Sequence, residues 1–370
     1  MKNFILLFAF LFTSTLFAQG YKFTDEINLE TTPVISQGRT GTCWSFSTSS
    51  FLESEIMRIS GKEIDLSEMY NVRCTYPAKA ENYLMRQGKA QFSEGGLAHD
   101  VINSVKGYGL VPNSAYTGIK DGAEGHDHSK LAEELENLLN EYNKRPNGTL
   151  SPKWRASVDS TLNYYLGEAP TTFKYDDKEF TPKSFLEMTG LNPNDYVTIT
   201  SFSHQPFYAS FILNIPDNFS NGSMYNVPLD EMMKVIDEAL KNGYTIELDC
   251  DVSEPTFSAG DGVAVIPADA SKNKEALKKP MPEMKITQAY RQELFENQTT
   301  TDDHLMHITG VVTDQNGNRY YKVKNSWGTG SRVANGGYVY MSEAYIKLKT
   351  ISVMVHKDAV PAATAKALGI

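Results

Sequence analysis

The stretch Gln37–Ser50, QGRTGTCWSFSTSS, decides how the rest of the chain is read. It sets one thiol, Cys43, immediately ahead of a segment with helical periodicity, with Gly41 before it and Gln37 six positions upstream. A helix start leaves backbone N–H groups unpaired and carries the positive end of the helix dipole, both of which favour a thiolate and so a nucleophile. Phe51, Leu52, Ile56 and Ile59 fall at helix spacing and Gly61 stands where a C-terminal cap would, which predicts a four-turn helix over Trp44–Ile59 with one buried stripe.

A nucleophilic cysteine needs a base that is close in space rather than in sequence. Of seven histidines, His126 and His128 share the polar loop GHDHSK, His99 lies near a helix start, and His204, His304 and His356 stand in polar or terminal surroundings. His307 precedes Ile308–Thr313, an apolar strand, and a residue at a strand end is aimed by the sheet. The segment Asp314–Asn318, DQNGN, is an Asn-Gly hairpin signal leading into a second strand, Tyr320–Lys324. Asn325 closes that strand. A hairpin brings the far ends of its two strands together, so Asn325 is expected to hold the His307 imidazole.

The pattern of Gln37, Gly41-Thr42-Cys43-Trp44, Leu66-Ser67-Glu68, Gly95-Gly96, Met306-His307 and Asn325-Ser326-Trp327-Gly328 resembles the papain-like cysteine peptidases. Within that group it is most similar to the bleomycin hydrolase and aminopeptidase C branch, because Cys43 and His307 lie much further apart than the roughly 130–150 residues of ordinary members. The resemblance implies an α+β fold of two lobes, the first helical and the second β-barrel-like. It implies Cys43 as nucleophile, His307 as base, Asn325 as its orienter, and Gln37 with the Cys43 N–H as the oxyanion hole. Gly95 and Gly96 would present backbone to an extended peptide, and Trp327 would cover the Asn325 contact. An aminopeptidase is expected, with an endopeptidase as the alternative. Relatives close the cleft with a C-terminal arm, whereas here KDAVPAATAKALGI follows the last strand and reads as a short tail. A further alternative is a silent peptide-binding module, although each catalytic position is filled. The resemblance also allows a ring-like homo-oligomer.

Length and composition set the bounds. The 370 residues are 41% hydrophobic and 22% charged, an ordinary globular composition, and the net charge of −10 argues against a nucleic-acid partner. Lys2, the apolar run Phe4–Phe17 and the small residue Ala18 have the form of a secretory signal, too short for a confident span. The expectation is an exported protein, periplasmic or extracellular, with residues 1–18 removed and no stable membrane insertion. The peptidase domain is then 19–360, with a helical insertion at about 120–203 and a tail at 361–370. Cys43, Cys74 and Cys250 are an odd count, leaving Cys74 and Cys250 as two buried thiols or one disulfide. Peptides are the expected partners. No cofactor is called for, and the two imidazoles of GHDHSK read as solvated rather than as metal ligands.

Overall fold

A computed structural model describes residues 20–120, 122–145 and 148–370. The signal segment expected at 1–18 lies outside the described residues. After β1 (Phe23–Asn28) the chain enters the helical lobe, which is built around α1 (Cys43–Ser60). This helix departs from the expected single stripe, since every residue from Cys43 to Ile56 is buried. The reason lies in its small hydroxyl side chains, which look solvent-facing in sequence but find buried acceptors. Ser45 Oγ donates to Glu68 O at 2.7 Å and Ser54 Oγ to Glu30 O at 3.0 Å. A helix buried on all sides can sit between two layers. Gly61, at φ 68°, ends it in the left-handed cap that its position suggested, its N–H bonding to Met57 O.

One layer against α1 is α2 (Glu68–Met85), capped by the Ser67 side chain, together with α3 (Ala98–Tyr108). Outside them lie α4 (Leu131–Asn143) and α5 (Trp154–Leu166), whose Leu131, Leu135, Leu139, Val158 and Leu162 join the same core as α2. The stripe of α4 is thus a packing face. A small ribbon of β2 (Phe173–Tyr175) and β3 (Lys178–Phe180) and the Thr181-capped helix α6 (Pro182–Thr189) complete this side.

The other layer is one large sheet. The chain joins it at β4 (Tyr196–Thr200) and continues through β5 (Ala209–Ile212), β6 (Ser223–Asn226), α7 (Leu229–Lys241), β7 (Ile246–Cys250), β8 (Phe257–Ser258) and β9 (Val263–Ala264). It then runs through α8 (Asn273–Ala276), α9 (Gln288–Glu296), β10 (His304–Asp314), β11 (Arg319–Lys324), β12 (Tyr338–Ser342), α10 (Glu343–Lys349), β13 (Thr350–His356) and α11 (Ala362–Leu368). The strand order is β5-β6-β4-β13-β7-β10-β11-β12-β9-β8, with β1 added on β10, and the path stays open instead of closing into a barrel. β10 and β11 form the hairpin turned at Asp314–Asn318, with Gly317 at φ 81°.

Period-two alternation separates the two faces of this sheet. On β7, Ile246, Leu248 and Cys250 point into the core covered by α7, while Glu247 points the other way, to Ser47 of α1. The tail packs on the α7 side, where Thr364 Oγ1 donates to Glu231 Oε1 at 2.6 Å and Leu368 and Ile370 join that core. All three cysteines are free thiols, with Cys74 against the helical-lobe core and Cys250 in the core beneath α7.

Candidate active site

Cys43 is the first residue of α1, 8% exposed, at the seam between the helical lobe and the sheet. Thr42, at the N-cap, does not cap with its side chain; its hydroxyl instead pairs with that of Thr40 at 3.0 Å. The first N–H groups of α1 therefore open onto the seam. The Leu305 N–H points at the Cys43 sulfur, which fixes the thiol beside the N-terminal end of β10.

That end is His304, not His307. The strand begins four residues before the apolar run that marks it in sequence, because His304, Leu305, Met306 and His307 continue the pairing with β7. His304 Nε2 lies 2.8 Å from Asn325 Oδ1. The same Oδ1 accepts the Ser326 N–H at 2.8 Å, so the amide orientation is dictated by a backbone donor, and His304 must present Nε2–H to it. Its Nδ1 is left as the acceptor. The Trp327 ring, 40% exposed, covers His304 at 5.0 Å between centroids.

The role expected of His307 is thereby corrected. A displacement of three positions along a strand reverses the face, and His307 points into the molecule towards α1. Its Nδ1 is 3.0 Å from Ser50 Oγ, whose hydroxyl also accepts from Lys324 Nζ at 2.7 Å. Burial, then the Lys324 charge, push His307 well below the usual imidazole range. This polar group lines a cavity of about 420 Å³ with Glu53 and Glu68, and it lies behind the catalytic seam. Glu53, Asp65 and Glu68 approach each other within 4.8 Å, but the Lys324 ammonium that bridges towards Glu53 through Thr32 already supplies a cation there.

Gln37 and Asn325 are brought together by pairing between their loops. Gln37 N donates to Ser326 O at 2.8 Å, Gly328 N to Ile35 O at 3.0 Å, and Ser326 Oγ to Gln37 Oε1 at 2.5 Å. The Gln37 amide gives one hydrogen to Thr40 O at 2.7 Å and keeps a second. The GHDHSK loop supports this segment from below. Arg39 N bonds His126 O, His128 N bonds Arg39 O, and His128 Nδ1 meets Thr40 Oγ1 at 3.0 Å. A methyl group on Gly38, which has φ 67°, would fall 2.6 Å from His126 O.

The Gly95-Gly96 ledge runs along the other rim. A Cβ on Gly96 would come within 3.1 Å of the Trp44 ring, and Trp44 Nε1 donates to Glu94 O at 2.9 Å. A Cβ on Gly95 would overlap the carboxylate of Asp217, a residue that sequence reading did not single out. Burial, then Asp302, Asp217 and Asp249, push the Cys43 thiol up to about 12, against the Leu305 N–H. Burial likewise pushes His304 down to about 4, partly offset by Asn325. Burial thus disfavours the charged form of each group alone, against the pull of the helix start towards a thiolate. The charge-separated form has to be reached by the two together.

A thiol at a buried helix start, an imidazole on a strand end, and an amide that orients it under an indole define a cysteine-type peptidase of papain-like two-lobed fold. The chain belongs to the Peptidase C1-like family, whose profile matches residues 79–369, a stretch that contains His304 and Asn325. Aminopeptidase C of Listeria innocua serovar 6a is 27% identical over 384 residues, covering 90% of this chain and 82% of that protein. Aminopeptidase G of Lactobacillus delbrueckii subsp. lactis is 24% identical over 368 residues, covering 89% and 82%. The crystal structure of PepW from Lactobacillus rhamnosis has a TM-score of 0.75 at 20% identity over 94% of this chain and 84% of that one, a likeness of fold. These relatives carry the branch resemblance that the motifs had suggested.

Proposed function

We propose that the protein is an exported cysteine aminopeptidase in which Cys43 attacks the first peptide bond of a substrate and His304 is the base. The observation that carries this reading is the 2.8 Å contact between His304 Nε2 and Asn325 Oδ1 beneath Trp327, beside the sulfur at the start of α1. The aminopeptidase part is supported by the activity in the names of its relatives, and export by the Lys2–Ala18 pattern.

In the proposed reaction the proton on Cys43 Sγ moves to His304 Nδ1 as the thiolate attacks the carbonyl carbon. Thiolate and imidazolium then offset each other, and the α1 N-terminus favours the anion. The carbonyl oxygen takes the negative charge against the Cys43 N–H and the second hydrogen of the Gln37 amide. An oxyanion donor of this kind lowers the barrier by about 3 kcal/mol. His304 returns the proton to the leaving amine, the C–N bond breaks, and a thioester remains on Cys43. His304 next removes a proton from water, whose oxygen attacks the thioester; the acid departs and the thiol is restored.

The test is hydrolysis of fluorogenic aminoacyl amides by purified protein under reducing conditions. The reading expects turnover by wild type and none above background for Cys43→Ala, and full activity in that variant sinks it. Export is tested by N-terminal sequencing of the mature protein, which should begin at Gln19.

A further inference from the structure

We infer that Asp217, Asp249 and Asp302 form a subsite for an ammonium group of the substrate on the acyl side of Cys43. The inference rests on the peptidase reading above and gives the same site its substrate class.

Three separate parts of the chain bring these carboxyls to the surroundings of Cys43. Asp302 lies two residues before His304. Asp249 lies on β7 directly across from Leu305, the residue whose N–H meets the sulfur, and on the face opposite the α7 core. Asp217, in the loop between β5 and β6, covers the α-carbon of Gly95. Asp249 and Asp302 are in hydrogen-bonding contact with each other. The charge of Asp217 is felt at both, and those of all three at Cys43. Trp327 stands over His304, on the leaving-group side in the proposed reaction. Asp217 lies against the Gly95-Gly96 ledge, where the acyl portion of a peptide would rest.

The protein supplies Asp249 and Asp302 with no cation. Asp249 is 1% exposed, and beyond the contact between these two carboxyls neither oxygen of Asp249, nor Asp302 Oδ2, meets a donor. Asp217 Oδ1 is held by Gln91 Nε2 at 2.8 Å and Ser93 Oγ at 3.4 Å, while its Oδ2 is the atom against Gly95. Lys79 gives two of its three hydrogens to the carbonyls of Ser93 and Gly95, and its charge acts on Asp217, not on the Asp249–Asp302 pair. Buried carboxylates without a cation are costly, so an empty cluster holds protons and a filled one holds a positive charge. A free α-ammonium or a lysine side chain fits such a site chemically; an acetylated amine, which has lost its charge, does not.

The sign of the pH dependence follows. Burial and then Asp217 push Asp302 up to about 7. Below that pH the carboxyl is neutral and offers the ammonium no counter-charge. Above about 8 a peptide α-amine itself loses its proton. KM for free-amine substrates should therefore be lowest between these limits.

The experiment measures kcat and KM for aminoacyl, N-acetyl-aminoacyl and N-acetyl-lysyl-aminoacyl coumarin amides, with wild type, Asp249→Asn, Asp302→Asn and Asp217→Asn. Alkylation of Cys43 by iodoacetamide serves as the check that each variant is folded with its nucleophile intact. Wild type should cleave the free-amine substrate at least a hundredfold more efficiently than its acetylated form. The Asn variants should raise KM for it tenfold or more and change KM for the acetylated substrate less than twofold, any change in kcat through Cys43 being common to both substrates. In Asp302→Asn the fall of KM through pH 7 should vanish. If the N-acetyl-lysyl substrate shares the preference and the loss, the ammonium comes from a side chain; if not, from the chain terminus. Equal effects on KM for free and acetylated substrates, with alkylation intact, overturn the subsite while leaving the peptidase reading in place. No hydrolysis of any substrate by wild type overturns that reading, and the subsite with it.

Discussion

Replacing His304 and His307 one at a time should have opposite consequences. His304→Ala removes the group proposed to take the Cys43 proton, and loss of a positioned general base costs about a thousandfold in kcat, or about 4 kcal/mol in the barrier. His307 is 1% exposed and bonds Ser50 at 3.0 Å. Its truncation forfeits about 1 kcal/mol for that hydrogen bond and about 2 kcal/mol for the cavity. The total of about 3 kcal/mol lowers the melting temperature by on the order of 6 °C at about 2 °C per kcal/mol, the low end for large domains. The assay pairs kcat on an aminoacyl coumarin amide with a thermal melt of each variant. The reasoning predicts a stable, inactive His304→Ala and a less stable His307→Ala that keeps kcat within about fivefold at 20 °C. An active His304→Ala, or a folded His307→Ala with a thousandfold loss, refutes it.

Gln37→Ala should lower kcat by about a hundredfold or more with little change in KM, as expected when an oxyanion donor is lost. Gly38→Ala, with φ 67° and a Cβ 2.6 Å from His126 O, should cost about 2 kcal/mol in urea unfolding and lower kcat, because the loop it strains carries Gln37. Without reductant, alkylation in denaturant followed by mass spectrometry should find all three cysteines modified, since none is bridged. A bridged pair in the purified protein would contradict the placement of Cys74 and Cys250.

Much of the fold can be read in the sequence where local signals agree. The helices α4 (Leu131–Asn143) and α7 (Leu229–Lys241) are legible because each combines an apolar stripe with polar flanks. The turn DQNGN joins β10 to β11 as its Asn-Gly step requires. Legibility fails where tertiary context replaces pattern. β10 begins at His304, a polar residue that follows the loop residues Asp302-Asp303 and looks like more of the same loop, since its burial comes from parts of the chain far away in sequence. That single boundary decides which histidine meets Asn325. The all-round burial of α1 was hidden by serines that resemble surface residues, and the Lys324–Ser50–His307 chain behind it was hidden with them. Asp217, Asp249 and Asp302 come from three distant segments, and no spacing announces their meeting. Cys43, Gln37 and Asn325 were legible because each stands within a dense motif.

The most direct test of the proposed Cys43–His304–Asn325 assignment uses an aminoacyl chloromethyl ketone, which alkylates a thiolate formed in the cleft. Peptide mapping by mass spectrometry reads both the site and the rate of labelling in wild type, His304→Ala and His307→Ala. The account predicts labelling at Cys43 in wild type and His307→Ala at similar rates, and at least a hundredfold slower in His304→Ala. Labelling at Cys74 or Cys250 instead, or an undiminished rate at Cys43 without His304, would contradict it.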